Sequence, residues 1–172
     1  MNEVFLDIET TGLNCYKDKI VEIYCMKIVD NITYDLHYYI NPCYPISQES
    51  YKIHGLNQKF LNNYPLFTNI KEKLLDFLDN CVIITHGNLD IKIIKKEFKE
   101  HNIKFNNFKH INTVDIANQL YPMGKKSLND LCKRYNIENK NREKHSAKVD
   151  VELLYNVYKE MKIRCINQNI II

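Results

Sequence analysis

The apolar residues of this chain change period at Pro42 and Pro45. Ahead of the two prolines they follow strand patterns, and beyond them they recur at helical spacing. Over residues 3–9, Val4, Leu6 and Ile8 alternate with Phe5, Asp7 and Glu9, the pattern of a strand. Residues 19–30 and 33–41 are rich in Ile, Val, Tyr and Leu and are split by Asp30-Asn31, a hairpin signal. The opening therefore reads as an antiparallel meander of three strands.

Past the prolines, Ile70, Leu74, Leu75, Phe77 and Leu78 predict a helix over 69–79. Val82-Ile83-Ile84 reads as a short buried strand. Residues 90–101 read as a helix with Ile93, Ile94 and Phe98 inward. A second short strand is expected over 111–114, then helices over 115–121, 127–136 and 146–163. Short strands alternating with helices call for parallel strands joined by right-handed crossovers. The expected fold class is thus α/β: a mixed five-stranded sheet, its first three strands antiparallel and the others parallel, flanked by helices.

A length of 172 residues suits one domain with a sizeable core. Residues 1–165 are expected to form it, with 166–172 a short apolar tail ending Ile170-Ile171-Ile172. No run of apolar residues reaches the eighteen or so needed for a membrane-spanning helix. The segment MNEVFLDIET lacks the basic and then apolar pattern of a signal peptide, so a cytoplasmic location is expected. The six cysteines form no C-x-x-C pair and read as reduced thiols rather than a disulfide framework or zinc site.

The formal net charge of +3 says less than its distribution. Lys92, Lys95, Lys96 and Lys99 crowd one segment. Lys125, Lys126, Lys133, Arg134, Lys140, Arg142, Lys144 and Lys148 crowd another. Such runs are either solvated helix faces or contacts for a phosphate backbone.

Four acids stand out. Asp7 and Glu9 are two apart on a strand, so their carboxylates share a face. Thr10, Thr11 and Gly12 follow, and Gly12 allows a sharp turn. Paired carboxylates at a strand end either mark an exposed end or hold a cation, and oxygen ligands alone suit Mg²⁺ or Mn²⁺. Asp90 follows the strand at 82–86 and opens a helix, where an N-cap is its simplest role. Asp150 lies in the first turns of the last long helix, where the dipole favours acids. Asp115 has a similar setting and is assigned only a cap. In open α/β sheets ligands gather at strand ends, which is where Asp7, Glu9 and Asp90 fall.

The motifs carry a resemblance. They read Asp7-Ile8-Glu9-Thr10-Thr11-Gly12-Leu13, then Glu49-Ser50-Tyr51-Lys52-Ile53-His54-Gly55-Leu56, then His86-Gly87-Asn88-Leu89-Asp90. The last is His145-Ser146-Ala147-Lys148-Val149-Asp150, preceded by Ser127-Leu128-Asn129-Asp130-Leu131-Cys132 and Arg134-Tyr135. In this order, over nearly the whole chain, they resemble the DEDDh family of 3′–5′ exonucleases, especially the epsilon proofreading subunits of bacterial DNA polymerase III. One motif departs: the family has an aromatic residue before its third acid, where this chain has Leu89, and His86 stands one residue closer to Asp90.

The resemblance implies a ribonuclease H-like fold and two metal ions, Mg²⁺ or Mn²⁺, held by Asp7, Glu9, Asp90 and Asp150. One ion makes a nucleophile of water, the other stabilises the leaving 3′ oxygen, and both share the phosphate charge. It makes His145 the general base. It implies a substrate pocket in which Glu49 and His54 hold the terminal nucleotide. Glu9 and Asp150 serve as ligand and substrate contact, the backbone near Thr10 and Thr11 bonds the 3′ hydroxyl, and Leu13 wedges against the base. The substrate expected is the 3′ end of single-stranded or frayed DNA, with a polymerase subunit as a possible partner. RNA trimming by the same metal site is the rival activity, and a non-catalytic polymerase-docking module is the rival class. A zinc hydrolase is excluded by spacing, since no H-E-x-x-H or paired Cys/His cluster occurs.

Overall fold

The computed structural model describes residues 2–105, 108–139 and 144–171. The elements run β1 (Asn2–Thr10), β2 (Ile20–Val29), β3 (Ile32–Tyr39), α1 (Gln48–His54), α2 (Gln58–Leu61) and α3 (Phe67–Leu78). Then come β4 (Cys81–Thr85), α4 (Leu89–Glu100), β5 (Lys109–Asn112), α5 (Thr113–Leu120), α6 (Leu128–Arg134) and α7 (Ala147–Asn167). One sheet has the order β3-β2-β1-β4-β5, antiparallel from β3 to β1 and parallel from β1 to β5. This is the mixed five-stranded arrangement that the period change predicts.

The turn between β2 and β3 has both central residues, Asp30 and Asn31, at positive φ (49° and 66°). That is the geometry a two-residue hairpin needs to match strand twist. β1 separates two cores because its side chains alternate. Val4, Leu6 and Ile8 pack with Ile93, Ile94 and Phe98 of α4 and Leu74 and Leu78 of α3. Phe5 packs on the other face with Val151, Leu154 and Tyr158 of α7 and Leu131 of α6. Rings of Tyr155 and Tyr158 stand edge-on to Phe5 at 5.2 and 5.6 Å. With both faces of β1 covered, polar residues on it need partners or a ligand.

The structure departs from the sequence expectation in several places. β5 ends at Asn112, and Thr113 and Val114 belong to α5, because the Asn112 side chain accepts from the Val114 N–H and caps the helix. Asp115, expected as that cap, instead lies exposed in the first turn. α7 runs to Asn167, so the expected tail begins inside a helix. Ile170 packs on the α7 side of the core, Ile171 is exposed, and Ile172 lies outside the described residues. α1 and α2 were not anticipated. They are too short to display a helical period, although Ser47 caps α1 through the Ser50 N–H and Gly55 ends it at φ 74°. Among the described residues no helix is long and apolar enough to cross a membrane.

Candidate active site

The site forms where β1 outruns its neighbour. β1 and β4 pair only from Asn2–Phe5 to Cys81–Ile84, so the later residues of β1 have lost that partner. The backbone N–H of Ile8, between Asp7 and Glu9, donates instead to the carboxylate of Asp90 in the first turn of α4. Asn88, not Asp90, occupies the cap position of that helix. Asp90 is 8% exposed. Burial pushes its carboxyl up to about 7, the N–H groups of Asp90 and Ile8 pull it down, and the charge of Asp150 raises it further.

Asp150 enters from the first turns of α7, buried on the Phe5 face of the sheet, opposite the face that α4 covers. Its N–H bonds the Ser146 carbonyl at 3.0 Å. Nδ1 of His145 stands 3.3 Å from its Oδ2. Glu9, Asp150 and His145 each place a ligand atom within 4.8 Å of the others'. Asp7 points to the same face of β1 and is partly buried. The carboxylates of Glu9 and Asp150 with the His145 ring, beside an Asp90 carboxyl that burial and the charge of Asp150 push up to about 7, fit a divalent cation. His145, expected only as a base, stands within the reach of that cation.

A second layer shapes the loop after β1. Asp18 is buried, and its carboxylate accepts from Thr11 Oγ1 at 3.0 Å and from the Asn14 N–H at 2.8 Å. Thr11 in turn bonds Lys19 through both N–H and hydroxyl. A Cβ on Gly12 would stand 2.5 Å from Asp18 Oδ2, so this carboxylate requires the glycine. Leu13 projects from the loop, 74% exposed. Beside it lies a groove of about 360 Å³ lined by Gly12, Leu13, Glu49, Ser50 and Ile53. Glu49 is exposed at the start of α1.

His54 is buried behind this groove. Its Nδ1 accepts from the Leu56 N–H at 3.0 Å, so Nε2 carries the proton and donates to the Thr10 carbonyl at 3.2 Å. Burial lowers its pKa, and so does His145, against the Thr10 carbonyl and Glu22. Both ring nitrogens are thus committed to backbone. The resemblance implies that His54 helps hold the terminal nucleotide; in this structure its ring holds the Thr10 carbonyl.

Other motif residues go elsewhere. His86 bonds Thr113 Oγ1 and the Lys126 carbonyl, both at 2.9 Å, bracing the start of α5. Lys96 turns inward to buried Glu97 and the Asp18 carbonyl, and Lys19 pairs with Glu97 and Glu100. Arg134 lies over the Tyr121 ring. Lys92, Lys99, Lys125, Lys133, Lys144 and Lys148 remain exposed, and Lys140 and Arg142 lie outside the described residues. The inward acids Asp18, Glu22 and Glu97 escaped the sequence reading. The signal for Glu22 was a charge inside the apolar strand IVEIYCMKIV.

Residues 4–158 match the family model described as Exonuclease. The chain is 37% identical over 166 residues to the DNA polymerase III subunit epsilon of Rickettsia prowazekii, covering 92% of this chain and 72% of that protein. E. coli Exonuclease I in complex with a dT13 oligonucleotide superposes with a TM-score of 0.82 at 17% identity, over 97% of this chain and 42% of that one. The nuclease domain of 3′hExo, a DEDDh family member bound to rAMP, does so at 0.78 and 16% identity, over 95% and 92%.

Proposed function

The chain belongs to the DEDDh family of 3′–5′ exonucleases, and on that premise we propose that it releases nucleoside monophosphates from DNA 3′ ends in proofreading or repair. In this reading Asp7, Glu9, Asp90 and Asp150 hold two divalent cations, Mg²⁺ or Mn²⁺. The observation that carries it is the meeting of Glu9, Asp150 and His145, whose ligand atoms lie within 4.8 Å of one another, beside Asp90, whose charge is opposed both by burial and by Asp150. A dication between the carboxylates relieves both penalties. Bound there, the cations supply Lewis acidity to the phosphate and lower the pKa of water.

The protein's own groups do the rest. His145 takes the proton of the attacking water, its ring oriented by Asp150. Water attacks phosphorus, the bond to the 3′ oxygen of the penultimate nucleotide breaks, that oxygen takes up a proton from solvent to become the new 3′ hydroxyl, and a nucleoside 5′-monophosphate is released. The groove beside Gly12 takes the terminal nucleoside, with Leu13 against its base, Glu49 and Glu9 on polar edges, and the backbone at Thr10 and Thr11 on the 3′ hydroxyl. His54 serves this pocket through Thr10. Exposed Lys144 and Lys148, beside His145 and in the first turn of α7, meet the incoming phosphates, which makes binding salt-sensitive.

A polymerase is the partner proposed, since the R. prowazekii relative is named as a polymerase subunit. The deciding experiment uses 5′-labelled single-stranded DNA and RNA of one sequence, with Mg²⁺, Mn²⁺ or chelator. A metal-dependent ladder shortening from the 3′ end of DNA is expected. Faster shortening of RNA would replace this reading with an exoribonuclease, and no shortening of either would leave a docking module.

A further inference from the structure

Glu22 is 1% exposed in β2, directly opposite Glu9 in the antiparallel register. A carboxylate buried there must be fully satisfied. Its Oε1 lies 2.9 Å from His37 Nε2 and accepts from Ser146 Oγ at 3.2 Å. Its Oε2 accepts from the Ala147 N–H at 3.3 Å. Ala147 is the first residue of α7, so that N–H has no partner within its own helix. Ser146 holds the cap position but makes no side-chain bond to its own helix. The cap of α7 is therefore supplied from a strand across the sheet, and its negative charge also suits the helix dipole.

We infer that Glu22 is a positioning residue for His145 and Asp150. His145 immediately precedes the two residues that Glu22 holds, and its own N–H is fixed by the Ile53 carbonyl at 3.1 Å. Asp150 lies one turn into α7, tied back to the Ser146 carbonyl. One carboxylate thus sets where α7 begins, and with it the separation of His145 and Asp150 from Glu9 on the adjoining strand. The two roles it serves are those of the proposed function.

The test compares Glu22→Ala and Glu22→Gln in the full chain. Each is assayed on single-stranded DNA with Mn²⁺, and amide exchange over residues 145–150 is followed separately without metal. Displacing reacting groups by about an ångström costs on the order of 100-fold, so Glu22→Ala is expected to lower kcat about 10–100-fold with KM within about threefold. Exchange over 145–150 should rise about tenfold or more. Glutamine can accept from Ala147 through its oxygen and donate to Ser146 Oγ, so Glu22→Gln should recover kcat to within about fivefold and restore slow exchange. Unchanged kcat and exchange in Glu22→Ala would overturn the inference, and so would a Glu22→Gln as impaired as Glu22→Ala. Should the alanine variant not fold, Ser146→Ala, which removes one of the three contacts, is expected to speed exchange over the same residues, and unchanged exchange would overturn it. A wild-type protein without nuclease activity would defeat the functional reading alone, because the exchange data still decide the role of Glu22.

Discussion

His54 donates from Nε2 to the carbonyl of Thr10 at 3.2 Å while its Nδ1 is held by the Leu56 N–H. This pins α1 to the end of β1, where the terminal nucleotide is proposed to sit. The contact needs a neutral ring, since a proton on Nδ1 would face an N–H. With its pKa lowered by burial, His54 contributes stability that is complete above the ordinary value of about 6.5 and is lost as pH falls through the folded value. Thermal melts at pH 5 and 7.5 should show a smaller acid-induced loss in His54→Ala than in the wild type. Equal losses would show that His54 does not carry the acid sensitivity.

Gly12 and Asp18 form the tightest constraint on the same loop. Gly12→Ala drives a Cβ into the Asp18 carboxylate, and something must shift. Overpacking of this kind costs about 1–3 kcal/mol, which for a chain of this length lowers Tm by roughly 2–12 °C. Displacement of Thr11 and Leu13 should raise KM for short oligonucleotides more than it lowers Tm would suggest. A melt and a steady-state assay together check this, and an unchanged KM would separate the loop from substrate binding.

The mixed five-stranded sheet was legible because alternation on β1, the hairpin at Asp30-Asn31 and the later alternation of strand and helix are local signals, whereas the order β3-β2-β1-β4-β5 came only with the fold. The four acids stand out in the sequence because each sits in a short contiguous motif. What links them was not legible there. Asp90 meets Ile8, Glu22 meets Ala147, and Asp18 closes on Thr11 through contacts that depend on sheet order and helix placement. His54 shows the same limit: its motif marked it for the nucleotide pocket, but only the fold shows both ring nitrogens taken by backbone. α1 and α2 were missed because one or two turns are too short to display a period.

Burial and the charge of Asp150 both oppose ionisation of Asp90. Its carboxyl, raised from the ordinary range to about 7, opposes folding of the chelated protein as pH rises from about 4 to 7. Asp90→Asn should therefore raise the Tm of the chelated protein at pH 7.5 by about 2–8 °C and flatten its pH dependence. It should also remove most of the Tm gain on adding Mn²⁺, which reflects binding to the folded state. A lower Tm in chelator would mean that the carboxylate stabilises the fold without metal.

The proposed function makes His145 the general base of the chemical step. His145→Ala should lower the single-turnover rate about 10²–10⁴-fold, the usual range for a general base, while oligonucleotide affinity changes little. A variant that binds weakly but turns over at the normal rate would move His145 from proton transfer to substrate binding.

The account rests on the carboxylates at the end of β1, and Asp7→Ala tests them most directly. The measurement is release of the 3′-terminal nucleotide from single-stranded DNA in Mn²⁺, set beside the Tm of the same sample in chelator. The account predicts a variant that melts as the wild type does and loses at least about 1,000-fold in rate, as expected when a charge-stabilising group is removed from the reacting centre. Wild-type release by Asp7→Ala, or wild-type release that persists in chelator, would contradict it.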